Sequence, residues 1–127
     1  MTSHGFKDAT CDLGQLKIWH NQHPGCAWGM ATTATVGVLD IDLKDDGPAT
    51  LATLEAIHGP LPSTVRAKTG GGGSHLYFRF PLGTGSSTGR VGVGCDVRAE
   101  GGYVIVPPSR IDCPEHEGRA YAWEVKP

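Results

Sequence analysis

Asp40 and Asp42 stand two residues apart in Val36-Gly-Val-Leu-Asp-Ile-Asp42, a run rich in β-branched residues that reads as a buried strand. Strand side chains alternate between faces, so both carboxylates are expected on the same face. Two carboxylates side by side repel, and one takes up a proton unless a counter-charge is present. A divalent cation, a hard ion with a preference for oxygen ligands, removes that conflict. The other account is a strand that frays into a polar turn, since Lys44, Asp45 and Asp46 come directly after it. Asp96 supplies a third carboxylate in the apolar segment Val93-Gly-Cys-Asp-Val-Arg98, where an acid is costly unless it is paired or bound. Asp40, Asp42 and Asp96 together would cradle two divalent ions about 4 Å apart. Such ions activate an attacking hydroxyl and stabilise the leaving oxygen of an in-line phosphoryl displacement. A simple pair with Arg98, two residues on and so on the same face, is the other account of Asp96.

Gly70-Gly-Gly-Gly-Ser-His75 is the second feature with chemistry in it. A glycine-rich turn lets backbone amides, here those around Gly72 and Gly73, approach phosphate oxygens, while Ser74 and His75 add side-chain donors. Lys68 and Arg79 on the flanking strands add positive charge, and the guanidinium of Arg98 can hold a phosphate in fork geometry. Four glycines also make an ordinary flexible hairpin, His75 also suits a structural role at a strand start, and the Gly-Lys-Ser/Thr ending of a P-loop is missing. Cys113 and His116 have a spacing that a zinc site uses, yet the other cysteines are distant and four ligands cannot be assembled locally.

These residues need a frame. Asp12 followed by Gln15 has the form of a capping box, and Leu13, Leu16, Ile18 and Trp19 give one apolar side to a short helix ending near His23-Pro24-Gly25. A short strand is expected at 27–31 and another at 36–42. Pro48 suits the first turn of a helix through Leu51, Leu54 and Ile57, with Gly59 as its stop. From Thr64 the pattern turns to strand: 64–69, the glycine turn, then 75–80 as a hairpin. The Gly, Ser and Thr rich stretch 81–92 reads as a connector. Strands at 93–98 and 103–106 are expected to form a second hairpin through Gly101-Gly102, and 121–123 a final edge strand. The expected class is α+β, a mostly antiparallel sheet with helices to one side.

At 127 residues the chain is expected to be a single domain. No apolar run approaches the roughly 20 residues of a membrane span, and no basic start leads into an apolar signal segment, so a soluble, cytoplasmic protein is expected, with no membrane partner. Its four cysteines contain no Cys-x-x-Cys pair and read as reduced thiols. The formal charge of -2 does not announce a nucleic-acid binder, but its distribution is uneven. From Ala56 to Cys95 there is no Asp or Glu, whereas Arg66, Lys68, Arg79 and Arg90 fall inside that stretch, a local attraction for polyanions.

The order of pieces carries a resemblance. Gly37-Val-Leu-Asp-Ile-Asp42, His58-Gly-Pro-Leu-Pro-Ser-Thr64, Thr69-Gly-Gly-Gly-Gly-Ser-His75-Leu-Tyr-Phe, Gly94-Cys-Asp-Val-Arg98 and Gly101-Gly-Tyr-Val-Ile-Val-Pro-Pro-Ser109 succeed one another along the chain. The set resembles the bifunctional DNA primase/polymerase (prim-pol) domain of the archaeo-eukaryotic primase superfamily, found in plasmid, phage and prophage replication proteins. The similarity runs from about Phe6 to Trp123. It implies a primase-polymerase fold, an RRM-like sheet beside a small α/β nucleotide-binding unit. It also implies a nucleotidyltransferase acting on a DNA template and primer with dNTP or NTP substrates. By the same resemblance Asp40, Asp42 and Asp96 bind two catalytic Mg or Mn ions and His75 contacts the triphosphate, with Ser74 and Arg98 lining the pocket. Many relatives carry a helicase and a helical primer-initiation region downstream, so a replicative helicase is an expected partner. The chain reaches its Phe-Lys-Asp-Ala-Thr10 motif sooner than the family usually does, which suits a shortened form. Two rival classes stand beside this one: a truncated nucleotide- and DNA-binding module without turnover, and a metal-dependent phosphodiesterase or nuclease using the same three carboxylates.

Overall fold

The structure, a computed structural model, describes residues 2–111 and 119–127. After a short 3-10 turn at Gly5–Asp8 comes α1 (Leu13–Gln22). The Asp12 carboxylate caps this helix by accepting from the Gln15 amide at 2.9 Å. Two strands, β1 (Trp28–Ala31) and β2 (Gly37–Ile41), lead into α2 (Gly47–His58), which has proline in its first turn and ends at Gly59 with φ +92°. The rest is strand: β3 (Arg66–Lys68), β4 (Ser74–Phe78), β5 (Ser87–Gly92), β6 (Cys95–Arg98), β7 (Tyr103–Val106), β8 (Arg110–Ile111), β9 (Arg119–Ala120) and β10 (Ala122–Val125). The architecture is therefore α+β, with antiparallel sheets and two helices among the described residues.

Six strands form the main sheet in the order β10-β3-β4-β2-β6-β5, and β1 and β7 form a separate two-stranded ribbon. Strand alternation gives each face of the main sheet its own core. Leu39, Ile41, Leu76, Cys95, Val97 and Ala99 pack on the α2 side with Leu51, Phe78 and Phe80. Val38, Ala67, Tyr77 and Val104 pack on the other side with Met30, Val65, Val106 and Trp123, so the ribbon covers part of that face. Each buried aliphatic side chain is worth about 1.5–3 kcal/mol against exposure, which makes the central strand β2, with Val38, Leu39 and Ile41 all buried, the anchor of the sheet.

Three expectations are corrected. The stretch 81–92 is not wholly connector: its last six residues are β5, the edge strand beside β6. The turn of that hairpin is Val93-Gly94, with Gly94 at φ +69°, so β6 begins at Cys95 rather than Val93. The expected hairpin between 93–98 and 103–106 does not form, because both edges of β6 are already taken by β2 and β5. The chain turns at Gly101, φ +83°, and β7 pairs with β1, Tyr103 opposite Ala31 and Val106 opposite Trp28. The final strand is at the sheet edge as expected, paired with β3 through Trp123 and Ala67.

Candidate active site

The register of the main sheet builds a charged row. On β2, Asp40 is paired with His75 of β4 on one side and with Asp96 of β6 on the other. Cross-strand partners share a face and stand about 4.5–5.5 Å apart at Cβ. All three therefore lie on the face opposite α2, beside the apolar patch beneath the ribbon. The Asp40 carboxylate is central: its Oδ1 is 3.4 Å from His75 Nε2 and its Oδ2 is 3.9 Å from Arg98 Nε. Arg98 Nη2 donates to Asp96 Oδ2 at 2.9 Å, and the Gly89 amide of β5 donates to Asp96 Oδ1 at 2.8 Å. The simple pairing of Asp96 with Arg98 is thus present, and Asp40 shares it.

His75 is 5 % exposed, and its Nδ1 has no hydrogen-bond partner among the described residues. An unpaired buried donor or acceptor costs about 1–3 kcal/mol. The Tyr77 hydroxyl, two residues on and on the same face, is buried and unpartnered in the same way. Tyr121 packs against His75 with ring centroids 5.8 Å apart, and Tyr77 meets the His75 ring edge at 6.4 Å. Burial pushes the Tyr77 phenol up to about 12, with the Tyr121 and Asp40 charges adding to it. Burial, then the Asp40 charge, raises Tyr121 as well. Both phenols are therefore neutral neighbours of the charged row, able to donate a hydrogen bond. Sequence reasoning missed both. Tyr77 had a signal, its even spacing from His75; Tyr121 had none, since only the order of β10 and β3 in the sheet brings its end of the chain here.

The other expected site residues divide. Asp42 lies one residue past β2 and is exposed; its Oδ1 accepts from the Lys44 amide at 2.9 Å, and its carbonyl accepts from Gly47. The strand runs straight into a polar turn, the alternative expected for this segment. Among the described residues no three His, Cys, Asp or Glu side chains gather into a metal site. Asp40 and Asp96 do fit one hard divalent cation by donor chemistry, as two opposed carboxylates whose shared counter-charge is a guanidinium. Ser74 and Lys68 pair with each other in a register one residue away from His75 and Ala67, so both face the α2 side. This corrects their grouping with His75: Ser74 lines a cleft of about 160 Å³ with Leu51, Glu55 and Arg66, behind the sheet from Asp40.

The glycine turn is tightly built. The Thr69 amide donates to the Gly73 carbonyl at 2.9 Å and the Gly72 amide donates to the Thr69 carbonyl at 3.0 Å, so the Gly72 amide closes the turn rather than facing a ligand. Gly72 has φ +91°, and a Cβ on Gly73 would run into the Ile41 carbonyl oxygen. These two glycines serve the close approach of the β3–β4 turn to β2. Cys113 and His116 lie outside the described residues.

Among known protein families, the model described as "Bifunctional DNA primase/polymerase, N-terminal" matches residues 1–127. No curated protein and no solved structure matches the chain. That match spans the whole sequence, the fold is α+β with mostly antiparallel sheets, and the chain belongs to the bifunctional DNA primase/polymerase N-terminal domain family.

Proposed function

We propose that the protein is a single-domain, template-dependent nucleotidyltransferase, and that the row His75-Asp40-Asp96 is its active centre. The 3'-hydroxyl of a primer end or an initiating nucleotide attacks the α-phosphate of a dNTP or NTP. The new P–O bond forms as the bond to the β-phosphate breaks, the hydroxyl proton is lost and pyrophosphate leaves. The observation that carries this reading is the pairing of Asp40 with both His75 and Asp96 across three adjacent strands. Two opposed carboxylates there need a shared counter-charge, the place a divalent cation would fill and the Arg98 guanidinium now fills.

In this reading Asp40 and Asp96 hold Mg or Mn. When bound, the ion lowers the pKa of the attacking hydroxyl and neutralises charge developing on the phosphate. His75 and the Arg98 fork hold phosphate oxygens, and the Tyr121 and Tyr77 rings fix the imidazole. Asp42 would help hold a second ion, in place of accepting from the Lys44 amide as it does now. The six-stranded sheet would correspond to the RRM-like part of a primase-polymerase fold, and α1 with the β1–β7 ribbon to its nucleotide-binding unit. Among the described residues no helix is long and apolar enough to cross a membrane.

One observation favours the rival reading of a binding module without turnover: Arg98 occupies the space between the two carboxylates and Asp42 is engaged elsewhere. Extension of a labelled primer on a DNA template, with Mg or Mn and each nucleotide class, separates the two. Extension that is lost in Asp40→Ala/Asp42→Ala supports the polymerase. Metal-dependent dNTP binding with no extension by the wild type supports the binding module.

A further inference from the structure

Asp40 and Asp96 are directly opposed on neighbouring strands, an arrangement in which like charges destabilise the sheet unless a counter-charge stands between them. Arg98 supplies it. Its Nη2 is 2.9 Å from Asp96 Oδ2 and its Nε 3.9 Å from Asp40 Oδ2. The remaining oxygens are committed elsewhere: Asp40 Oδ1 lies toward His75 and Asp96 Oδ1 accepts the Gly89 amide. The guanidinium therefore stands at the two oxygens left without another partner among the described residues, Asp40 Oδ2 and Asp96 Oδ2, and a cation held by both carboxylates would compete with it for them.

We infer that Arg98 is a displaceable counter-ion, which sits between Asp40 and Asp96 until a divalent cation takes that seat and then swings to the phosphates of the incoming nucleotide. The inference rests on the proposed nucleotidyltransferase function and adds an order of events to it. The side chain of Arg98 is 37 % exposed, so it has a path through solvent, and its contact with Asp40 is loose at 3.9 Å. At equal distance a doubly charged ion attracts the two carboxylates about twice as strongly as a singly charged one. The freed guanidinium is planar, permanently charged and matched to phosphate in fork geometry, so cation binding prepares the nucleotide site. By linkage the nucleotide then strengthens cation binding by the same factor.

The test tracks the Arg98 Nε–Hε resonance by NMR in the 127-residue protein, assigned by its disappearance in Arg98→Lys. Mg alone is expected to move this resonance together with the Asp40 and Asp96 amides. Adding a non-hydrolysable dNTP analogue to the Mg form is expected to move it to a third position, while the analogue without Mg leaves it in place. Arg98→Gln is expected to bind Mg roughly tenfold more tightly, since the competing charge is gone. Arg98→Lys, which keeps the charge and loses the fork, should gain less. An Arg98 resonance that stays fixed while Mg shifts the Asp40 and Asp96 amides overturns the displacement and leaves the functional reading standing. An absence of any Mg-induced shift at Asp40 and Asp96, in wild type and in Arg98→Gln, overturns the functional reading and the displacement with it.

Discussion

The two faces of the main sheet are made from the same strands and carry different side chains. The α2 face is closed by apolar packing of Leu39, Ile41, Leu76 and Val97, with Ser74, Lys68 and Arg66 at its margin. The opposite face is half apolar, under the ribbon, and half charged, along His75, Asp40 and Asp96. Alternation by one residue decides which face a side chain joins, so Ser74 and His75, neighbours in sequence, belong to different parts of the molecule. Chemistry is expected on one face and stability on the other, and substitutions can test that division.

The largest effect is expected at the carboxylates. Asp40→Asn and Asp96→Asn should each lower primer extension by at least about a hundredfold, the scale of losing one preorganised charge at a phosphoryl-transfer centre. Circular dichroism and the urea midpoint should stay near wild type, since Asn keeps an acceptor oxygen at each position and Arg98 keeps the other carboxylate as its partner. Next is the support behind the row. Gly73→Ala should cost about 2–3 kcal/mol in urea denaturation, because its Cβ meets the Ile41 carbonyl. Gly71→Ala, which meets only the Thr69 hydroxyl at 3.8 Å, should stay within about 0.5 kcal/mol of wild type. Third, His75→Gln should reduce extension by about tenfold or more, and Ser74→Ala by less than about twofold. Comparable losses in those two variants would break the two-face division.

The smallest effect is expected at Tyr77. Its folded phenol, raised to about 12 from an ordinary 10.0, keeps its proton while the unfolded chain loses one. The folded state binds more protons between those values, so this contribution is whole below pH 10 and is lost as pH rises toward 12. Tyr77→Phe should flatten the loss of thermal stability over pH 9.5–11.5. Near neutral pH it should leave stability unchanged or raise it by about 1 kcal/mol, since it deletes a buried hydroxyl without a partner. Tyr121, raised in the same direction, should leave a residual slope.

Much of this frame was legible in the sequence. The β-branched run before Asp42 marked β2, Pro48 and Gly59 bracketed α2, and the Asp12 cap opened α1. Local rules suffice for those elements. Edge strand β5 escaped because Ser87-Thr-Gly-Arg-Val-Gly92 has the glycine content of a loop and gains its structure only by pairing with β6. The partner of β7 was equally hidden, since strand order is a tertiary choice that local periodicity does not encode. In the site, the even spacing of Asp96 and Arg98 was readable, and so was their shared face. The spacing of Asp40 and Asp42 was readable too, and so was the alternative of a strand fraying into a polar turn. Local sequence did not decide between the two; β2 ends before Asp42, whose carboxylate is spent on the Lys44 amide.

The most direct test of the charged row is a titration of the protein with Mn monitored by electron paramagnetic resonance, comparing wild type, Asp96→Asn and Asp46→Asn. The row account predicts tight Mn binding by the wild type and Asp46→Asn, and its loss in Asp96→Asn. Binding that survives in Asp96→Asn and disappears in Asp46→Asn would put the cation in the Asp42–Gly47 loop and contradict the account.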